Sequence, residues 1–366
     1  MILNLDEEKL KSFILMVIPF CIFTAIDGTF NVQSILPIII LLLLIDLMSK
    51  KINIDSIMLL TICLFFTSSI SSTCINAILN TGLNNNQTFI RIIYYSIILY
   101  FYYSITRIKY NNNLINKIIN ANILCGVIVS LYLIFVNHIW LVNLLGTRID
   151  KNFVGALLAL QGELSFINCL QQKKKKIHII SYLIIVLGLF YSASRASLLV
   201  CLLGSFFILL FSLITNIKNK RQFVKIIAIF MIVIVLLIVL YNTVFQNLLH
   251  NNVNIQWYWN RYFVNGYEDS SVTGRWVWWK NGLNLFKERP VFGYGIGNIN
   301  VSGNSSAVSH NTFLDFLIDQ GITGFVSFII ILFRIFKNMF KNKKIIAYPL
   351  ILTLLLNIFI LSATRS

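Results

Sequence analysis

A histidine and a set of spaced glycines mark the second half of the 366-residue chain. His310 is followed directly by Asn311 and, further on, by Gly321 and Gly324, in the pattern HNx9Gx2G. An imidazole, whose pKa is ordinarily about 6.5, can accept the proton of a hydroxyl group or orient that hydroxyl for attack. The pattern therefore indicates His310 as a candidate catalytic residue, although a single histidine at a membrane boundary is more often an interfacial polar residue.

Several arginines could stabilise negative charge that develops on a leaving group. Arg195 follows Ser-Ala-Ser between two apolar runs, Arg275 lies in Thr-Gly-Arg-Trp, and Arg148 follows Gly-Thr. A planar guanidinium offers paired hydrogen bonds to a phosphate. The alternative for each arginine, and for Arg91 and Arg289, is contact with lipid headgroups.

Four further polar or aromatic residues are candidates for supporting roles. Asp315 and Asp319 lie one helical turn apart on the face that runs from His310, so either could orient it, but an acid near a helix start is also favoured by the helix dipole. Glu163 lies deep in an apolar run, where an unpaired carboxylate is costly, so it should face the interior of a helix bundle. Trp276, beside Arg275, could pack its helix or stack on a sugar ring.

A GxGxG pattern at Gly293, Gly295 and Gly297 superficially suggests a nucleotide site. A dinucleotide fingerprint requires a preceding strand and a following helix, and neither is predicted here. The glycines instead favour a tight external turn.

The elements that must position these residues are membrane helices. The chain is 57% hydrophobic and 12% charged, against roughly 45–50% and 25% in soluble domains, and its long apolar runs exclude an alternating outer-membrane barrel. Stretches of about 20 apolar residues can cross a bilayer as helices. We predict an all-α polytopic membrane protein with about eleven spans, near residues 12–27, 32–48, 56–79, 89–106, 113–136, 153–170, 177–193, 197–215, 223–243, 311–333 and 345–361.

The net charge of +17 follows a topological pattern. Lysine and arginine gather in every second connection, as in the cytoplasmic loops of multispan proteins, so a nucleic-acid partner is unnecessary. The pattern predicts a transmembrane region over residues 1–243, a large extracytoplasmic loop with the catalytic motifs over 244–310, and two further spans over 311–366. The six cysteines show no CxxC metal pattern, and no metal or cofactor is predicted.

The order of these motifs resembles the O-antigen ligase and O-antigen polymerase superfamily of membrane glycosyltransferases. The resemblance covers roughly residues 146–324: GTR, SASR, GRxxxW, RPxxGxG and HNx9Gx2G follow in that order. It implies a GT-C-like fold and transfer of a glycan from a polyprenyl-diphosphate carrier to a sugar hydroxyl, without nucleotide sugar or metal. It also implies His310 as the catalytic residue and Arg195, Arg275 and Arg148 as diphosphate ligands. Supporting residues would be Asn311, Asp315, Gly321, Gly324, Trp276 and Glu163.

The expected function is polymerisation of undecaprenyl-diphosphate-linked repeat units into surface or capsular polysaccharide or O-antigen, in the plasma membrane of a bacterium with the active site on the extracytoplasmic face. Its partners would be the lipid-linked oligosaccharide, membrane lipids, and a flippase and chain-length regulator of the same pathway. One alternative is a ligase that transfers finished glycan to another acceptor. Another, of a different class, is a multispan transporter or flippase, but the chain shows no paired repeat of the transporter kind.

Overall fold

The computed structural model describes residues 13–20, 56–78, 93, 112–136, 141–142, 148–149, 151–171, 175–216, 270–295 and 311–341. Apart from one pair of two-residue strands, the elements in these ranges are helical. The elements, in chain order, are α1 Ser56–Ile78, α2 Asn112–Phe135, β1 Leu141–Val142, β2 Arg148–Ile149, α3 Lys151–Gln171, α4 Lys175–Tyr191, α5 Arg195–Asn216, α6 Ser270–Glu288 and α7 Thr312–Lys341. The short segment 13–20 is also helical.

Six of the predicted spans coincide with helices α1 to α5 and α7, and α6 lies within the range predicted as the large loop. Three helices in the described part are long and apolar enough to cross a membrane, over Asn113–Phe135, Lys151–Leu170 and Phe313–Phe333, and two shorter apolar helices cover Lys176–Tyr191 and Arg195–Leu210. The all-helical membrane character is therefore confirmed. The predicted spans at 32–48, 89–106, 223–243 and 345–361 lie almost entirely outside the described residues.

Helices α2 to α5 form one packed group. Their shared core includes Leu133, Leu158, Ile185 and Leu189, all fully buried, and Ile149 of β2, which pairs antiparallel with β1. Apolar side chains also lie exposed on the outer faces of these helices. Since a soluble protein rarely leaves so much apolar area uncovered, this pattern fits a lipid-facing surface.

Helices α1, α6 and α7 form a second packed group. Leu314 and Ile318 of α7 are covered by Trp279 of α6, whereas Phe316 of α7 packs against Phe65 of α1. None of the three core clusters in the described part contains residues from both groups.

Helix α7 bends sharply at Gly321, whose backbone angles, φ 66° and ψ −162°, are far from helical values. The rings of Phe316 and Phe328 stack with 4.2 Å between their centroids, although twelve residues of straight helix would separate them by about 18 Å. The bend divides α7 into a first arm (residues 312–320) and a second arm (residues 322–341) that pack against each other. The sequence predicted a span here but not the bend.

We expect Gly321→Ala to destabilise the protein by about 3 kcal/mol or more. Its backbone lies in a region that only glycine adopts readily, and an added Cβ would collide with the backbone of Val291. The midpoint of thermal unfolding of the purified protein in detergent measures this. Gly282→Ala is the matched control, because its Cβ would meet only the side-chain ends of Leu314 and Ile318. Equal midpoints for the two variants would contradict the prediction.

Candidate functional site

The bend of α7 interrupts the helical hydrogen bonds that span Gly321, and four of the backbone groups concerned bind a second segment of the chain. These are the carbonyls of residues 318 and 319 and the amides of residues 322 and 323, which would form two i to i+4 bonds in a continuous helix. A turn formed by residues 289–295 binds all four. Its amides at Tyr294 and Gly295 donate to the carbonyls of residues 318 and 319, each at 2.8 Å, and its carbonyls at Pro290 and Val291 accept from the amides of residues 322 and 323 at 2.8 and 3.4 Å.

Two glycines allow the 289–295 turn to approach the bend this closely. Gly293 and Gly321 both have positive φ, near 65°. A Cβ on Gly293 would collide with the backbone of Ile318 and Asp319, and one on Gly321 would collide with the backbone of Val291. The prediction that the glycines make a tight turn is confirmed for Gly293 and Gly295; Gly297 and the external location lie outside what the structure describes.

The same turn is braced by a cluster of polar and aromatic side chains. The hydroxyl of Tyr294 donates to Glu288, and the guanidinium of Arg289 lies 4.6 Å from the centroid of the Tyr294 ring. Burial, together with the bond to Glu288, raises the pKa of Tyr294 to about 12, so this hydroxyl keeps its proton at neutral pH. Arg289 therefore has a structural role in holding the turn.

Asn311 fixes the start of the first arm. Its side-chain Oδ1 accepts from the amide of Phe313 at 3.0 Å and from that of Leu314 at 3.3 Å, which makes it the N-cap of α7. Asp315, in the first turn, is half-buried, and its amide donates to the carbonyl of Asn311. His310, the residue before the cap, lies outside the described residues, so its position is tied to this site by sequence alone.

Helix α6 carries the Arg275 motif toward the end of α7 that begins at Asn311. Gly282 of α6 faces Leu314 and Ile318, and the turn that follows α6 reaches the bend. Helix α6 and the first arm of α7 therefore run in the same direction. Arg275 and Trp276 precede Gly282 by about two turns of α6, so they lie toward the end of α7 that Asn311 caps. Trp279 of α6 packs against Leu314 and Ile318 of the first arm.

Arg195 lies at a strained turn between α4 and α5. Ala193, with φ 55°, is the one non-glycine residue with positive φ in the described part, and it is buried. The hydroxyl of Ser192 donates to the carbonyl of Leu189 at 2.7 Å. The carbonyl of Ser194 accepts from the amide of residue 198, so Ser194 caps α5 and Arg195 is the first helical residue, half-buried. Strain of this kind is concentrated at functional sites.

The start of α3 meets this turn. Ser194 Oγ lies 3.3 Å from Asn152 Oδ1, and a Cβ on Gly155 would lie 2.6 Å from Ser194 Cβ, so the two helix starts are in contact. Lys151 is the first residue of α3 and Arg148 lies three residues earlier in β2. The structure thus brings the Arg148 and Arg195 motifs together.

Glu163 is fully buried, as its depth in the span predicted. Its carboxylate interacts electrostatically with Tyr182 of α4 and Cys201 of α5, and the Tyr182 hydroxyl donates to Ser205 at 3.0 Å. These groups form a polar layer inside the α3–α4–α5 packing. A role for Glu163 in substrate binding stays a prediction.

The comparisons with known proteins identify the segment that carries most of this geometry. Residues 180–329, which are 150 of the 366 in the chain, match the family model described as O-antigen ligase. This segment belongs to the O-antigen ligase and polymerase superfamily. The searches of curated proteins and of solved structures each gave no match.

The O-antigen ligase segment contains Arg195, Arg275, the 289–295 turn, the first arm of α7, the bend and the start of the second arm, up to residue 329. Family membership implies a membrane glycosyltransferase that acts on a lipid-linked glycan. Arg148 and Glu163 lie outside the segment, so their roles rest on position alone. Gly324, also in the segment, lies so close to Gln320 that an added Cβ would collide with the Gln320 side chain.

The sequence pattern does not indicate Gln320, whose side chain is fully buried at the bend, and it places Asp315 but not Asp319 among the supporting residues, although Asp319 is the more deeply buried. It also does not indicate Ser68 and Ser72 of α1, which contact the bend. The available signal was polar side chains within an apolar segment, which are costly there and need partners.

Asn311→Ala should lower the free energy of unfolding by about 1 kcal/mol, because the amides of residues 313 and 314 lose their acceptor. Asn311→Asp should keep the cap. The expected signature is faster hydrogen exchange at those two amides, by about fivefold for 1 kcal/mol. Mass-spectrometric exchange on the purified protein measures this, with Asn284→Ala on the exposed face of α6 as the control. Unchanged exchange in Asn311→Ala would show that another group caps α7.

Proposed function

We propose that this protein polymerises undecaprenyl-diphosphate-linked oligosaccharide repeat units into a surface or capsular polysaccharide or O-antigen, on the extracytoplasmic face of the bacterial plasma membrane. The observation that carries the proposal is the junction between the 289–295 turn and the bend of α7. Two motifs of the O-antigen ligase family that are separated in sequence meet there through four backbone hydrogen bonds.

The diphosphate of the donor would bind at the joined starts of α3 and α5. Helix N-termini present backbone amides and a partial positive charge, which favour phosphate. Lys151 and Arg195 add full charges at these two helix starts. As the bond from sugar C1 to the diphosphate oxygen breaks, negative charge grows on the diphosphate, and fixed guanidiniums stabilise it more strongly than they stabilise the ground state. Arg275 and Arg148 are proposed as the further ligands.

The acceptor sugar would be activated by His310. The acceptor hydroxyl oxygen forms a bond to C1 while the bond from C1 to the diphosphate breaks and the diphosphate leaves with the bonding electron pair. The hydroxyl proton passes to the His310 imidazole and then to water. The N-cap at Asn311 supports this role because it fixes the residue that directly follows His310. The reaction needs no nucleotide sugar, metal or other cofactor in this scheme, since the diphosphate is already an activated leaving group.

A ligase that moves finished glycan to another acceptor would use the same donor chemistry and stays the alternative within this class. We favour the polymerase because no feature of the chain suggests a lipid A acceptor. A flippase and a chain-length regulator are proposed as pathway partners. A transporter of lipid-linked glycan is the alternative from another class, and it differs in that it would form no new glycosidic bond.

The enzyme hypothesis predicts that the purified wild-type protein, with lipid-linked repeats and a chelator, lengthens glycans without a nucleotide. His310→Ala should lower the rate by roughly 10²-fold or more while still binding the donor, as expected for loss of a general base. Gel analysis of glycan length and a donor-binding assay measure the two effects. If the wild type lengthens no glycan and His310→Ala supports normal polysaccharide in cells, the glycosyltransferase proposal fails.

Arg195→Lys should lower the polymerisation rate by at least about tenfold, because a point ammonium lacks the planar pair of donors that a diphosphate accepts. Protein yield and thermal midpoint should stay near wild type. Lys280→Ala, which removes an exposed cation of α6, is the control and should leave the rate unchanged. Wild-type rates in both Arg195→Lys and Arg195→Ala would assign diphosphate binding to other arginines.

A further inference from the structure

Helix α1 makes side-chain contact with the residues just before the bend in α7. The hydroxyl of Ser72 donates to the carbonyl of Asp319 at 2.9 Å, the same oxygen that accepts from the amide of Gly295. One turn earlier, Ser68 Oγ lies 3.2 Å from Gln320 Oε1. Both serines are buried, and Ser72 is fully so.

These contacts replace helical bonds that the bend removes. The carbonyl of Asp319 has two lone pairs and no helical partner, so Ser72 and Gly295 together satisfy it. Ser68 also lies 2.8 Å from the carbonyl of Phe65. A hydroxyl has one proton, so Ser68 either shares it between two acceptors or, with the Gln320 amide turned over, donates to Phe65 and accepts from Gln320.

Aromatic packing continues the contact along the first arm. The ring of Phe65 meets that of Phe316 edge to face, with centroids 6.2 Å apart, and both side chains are buried. Phe316 in turn stacks on Phe328 of the second arm. Helix α1 therefore touches both the apex of the bend and the arm that leads back to Asn311.

Helix α1 lies outside residues 180–329, the segment that matches the O-antigen ligase family. We propose that Ser72 and Ser68 are positioning residues that set the orientation of the first arm, and through it the orientation of the end of α7 that Asn311 caps. This inference rests on the proposed function, because it assigns the geometry of that same site to a helix outside the matched segment. Neither serine touches the reacting atoms in this role.

Ser69 provides a matched control. It is buried to the same degree as its neighbours, but its hydroxyl donates within its own helix, to the carbonyl of Phe65 at 2.8 Å. Ser72→Ala, Ser68→Ala and Ser69→Ala thus remove the same atom from the same helix. Only the first two removals break a contact with α7.

We expect Ser72→Ala and the double variant Ser68→Ala/Ser72→Ala to lower kcat for glycan extension by about 10- to 100-fold with KM within about twofold, because small displacements of a catalytic end reduce rate more than binding. Ser72→Cys, which keeps a weak donor of similar size, should fall between Ser72→Ala and wild type. Ser69→Ala should retain wild-type kcat. Equal kcat in Ser72→Ala and Ser69→Ala would overturn the proposal.

Hydrogen exchange separates this inference from the proposed function. The amides of Gly295 and of the first arm should exchange about fivefold faster or more in Ser72→Ala than in Ser69→Ala, since one buried hydrogen bond is lost. If the wild type extends no glycan but this difference is observed, the polymerase proposal fails and the positioning of the first arm stands. Equal exchange rates in the two variants would overturn the positioning role of Ser72, whatever the rate of glycan extension.

Discussion

A helix that bends inside an apolar chain must find new partners for the backbone groups released at the bend. In α7 those groups include two carbonyls before Gly321 and two amides after it, and each would cost roughly 1–3 kcal/mol if buried without a partner. The 289–295 turn supplies all four partners and the hydroxyl of Ser72 supplies a second donor to one carbonyl. This replacement of helical hydrogen bonds by bonds to the turn and to Ser72 determines the positions of α1, α6 and both arms of α7. Each of these elements contacts the bend directly or through the turn.

The hydrogen bonds at the bend also require two glycines that are far apart in sequence. The residues RPVFGYG and the glycine at position 321 are 26 residues or more apart in sequence, yet Gly293 and Gly321 each leave room for the backbone of the other segment. A side chain at either position would separate the two segments. The glycines therefore connect the segment that follows α6 to the bend of α7 through backbone hydrogen bonds.

The arginine site follows a different principle. The turn before Arg195 contains a buried alanine with positive φ and a chain of serine hydroxyls, and it is pressed against Gly155 and Asn152 of α3. Small residues let the two helix starts meet, so the proposed diphosphate site would combine two helix dipoles with the charges of Lys151 and Arg195. This site would depend on close packing of small residues, whereas the bend of α7 depends on backbone hydrogen bonds.

The sequence determined by itself the features that depend on composition and local pattern. Apolar runs of the right length predicted the described helices to within a few residues at most ends, the depth of Glu163 predicted its burial, and the ordered motifs predicted the superfamily. Only the tertiary structure decided how the motifs are joined. The bend at Gly321 could not be read from sequence, because a glycine within an apolar helix is compatible with a straight span and becomes a break only when a distant segment offers partners for its backbone. For the same reason Gln320, Ser68 and Ser72 showed no role in the sequence: each is an ordinary polar residue of a membrane helix until the bend places it opposite its partner.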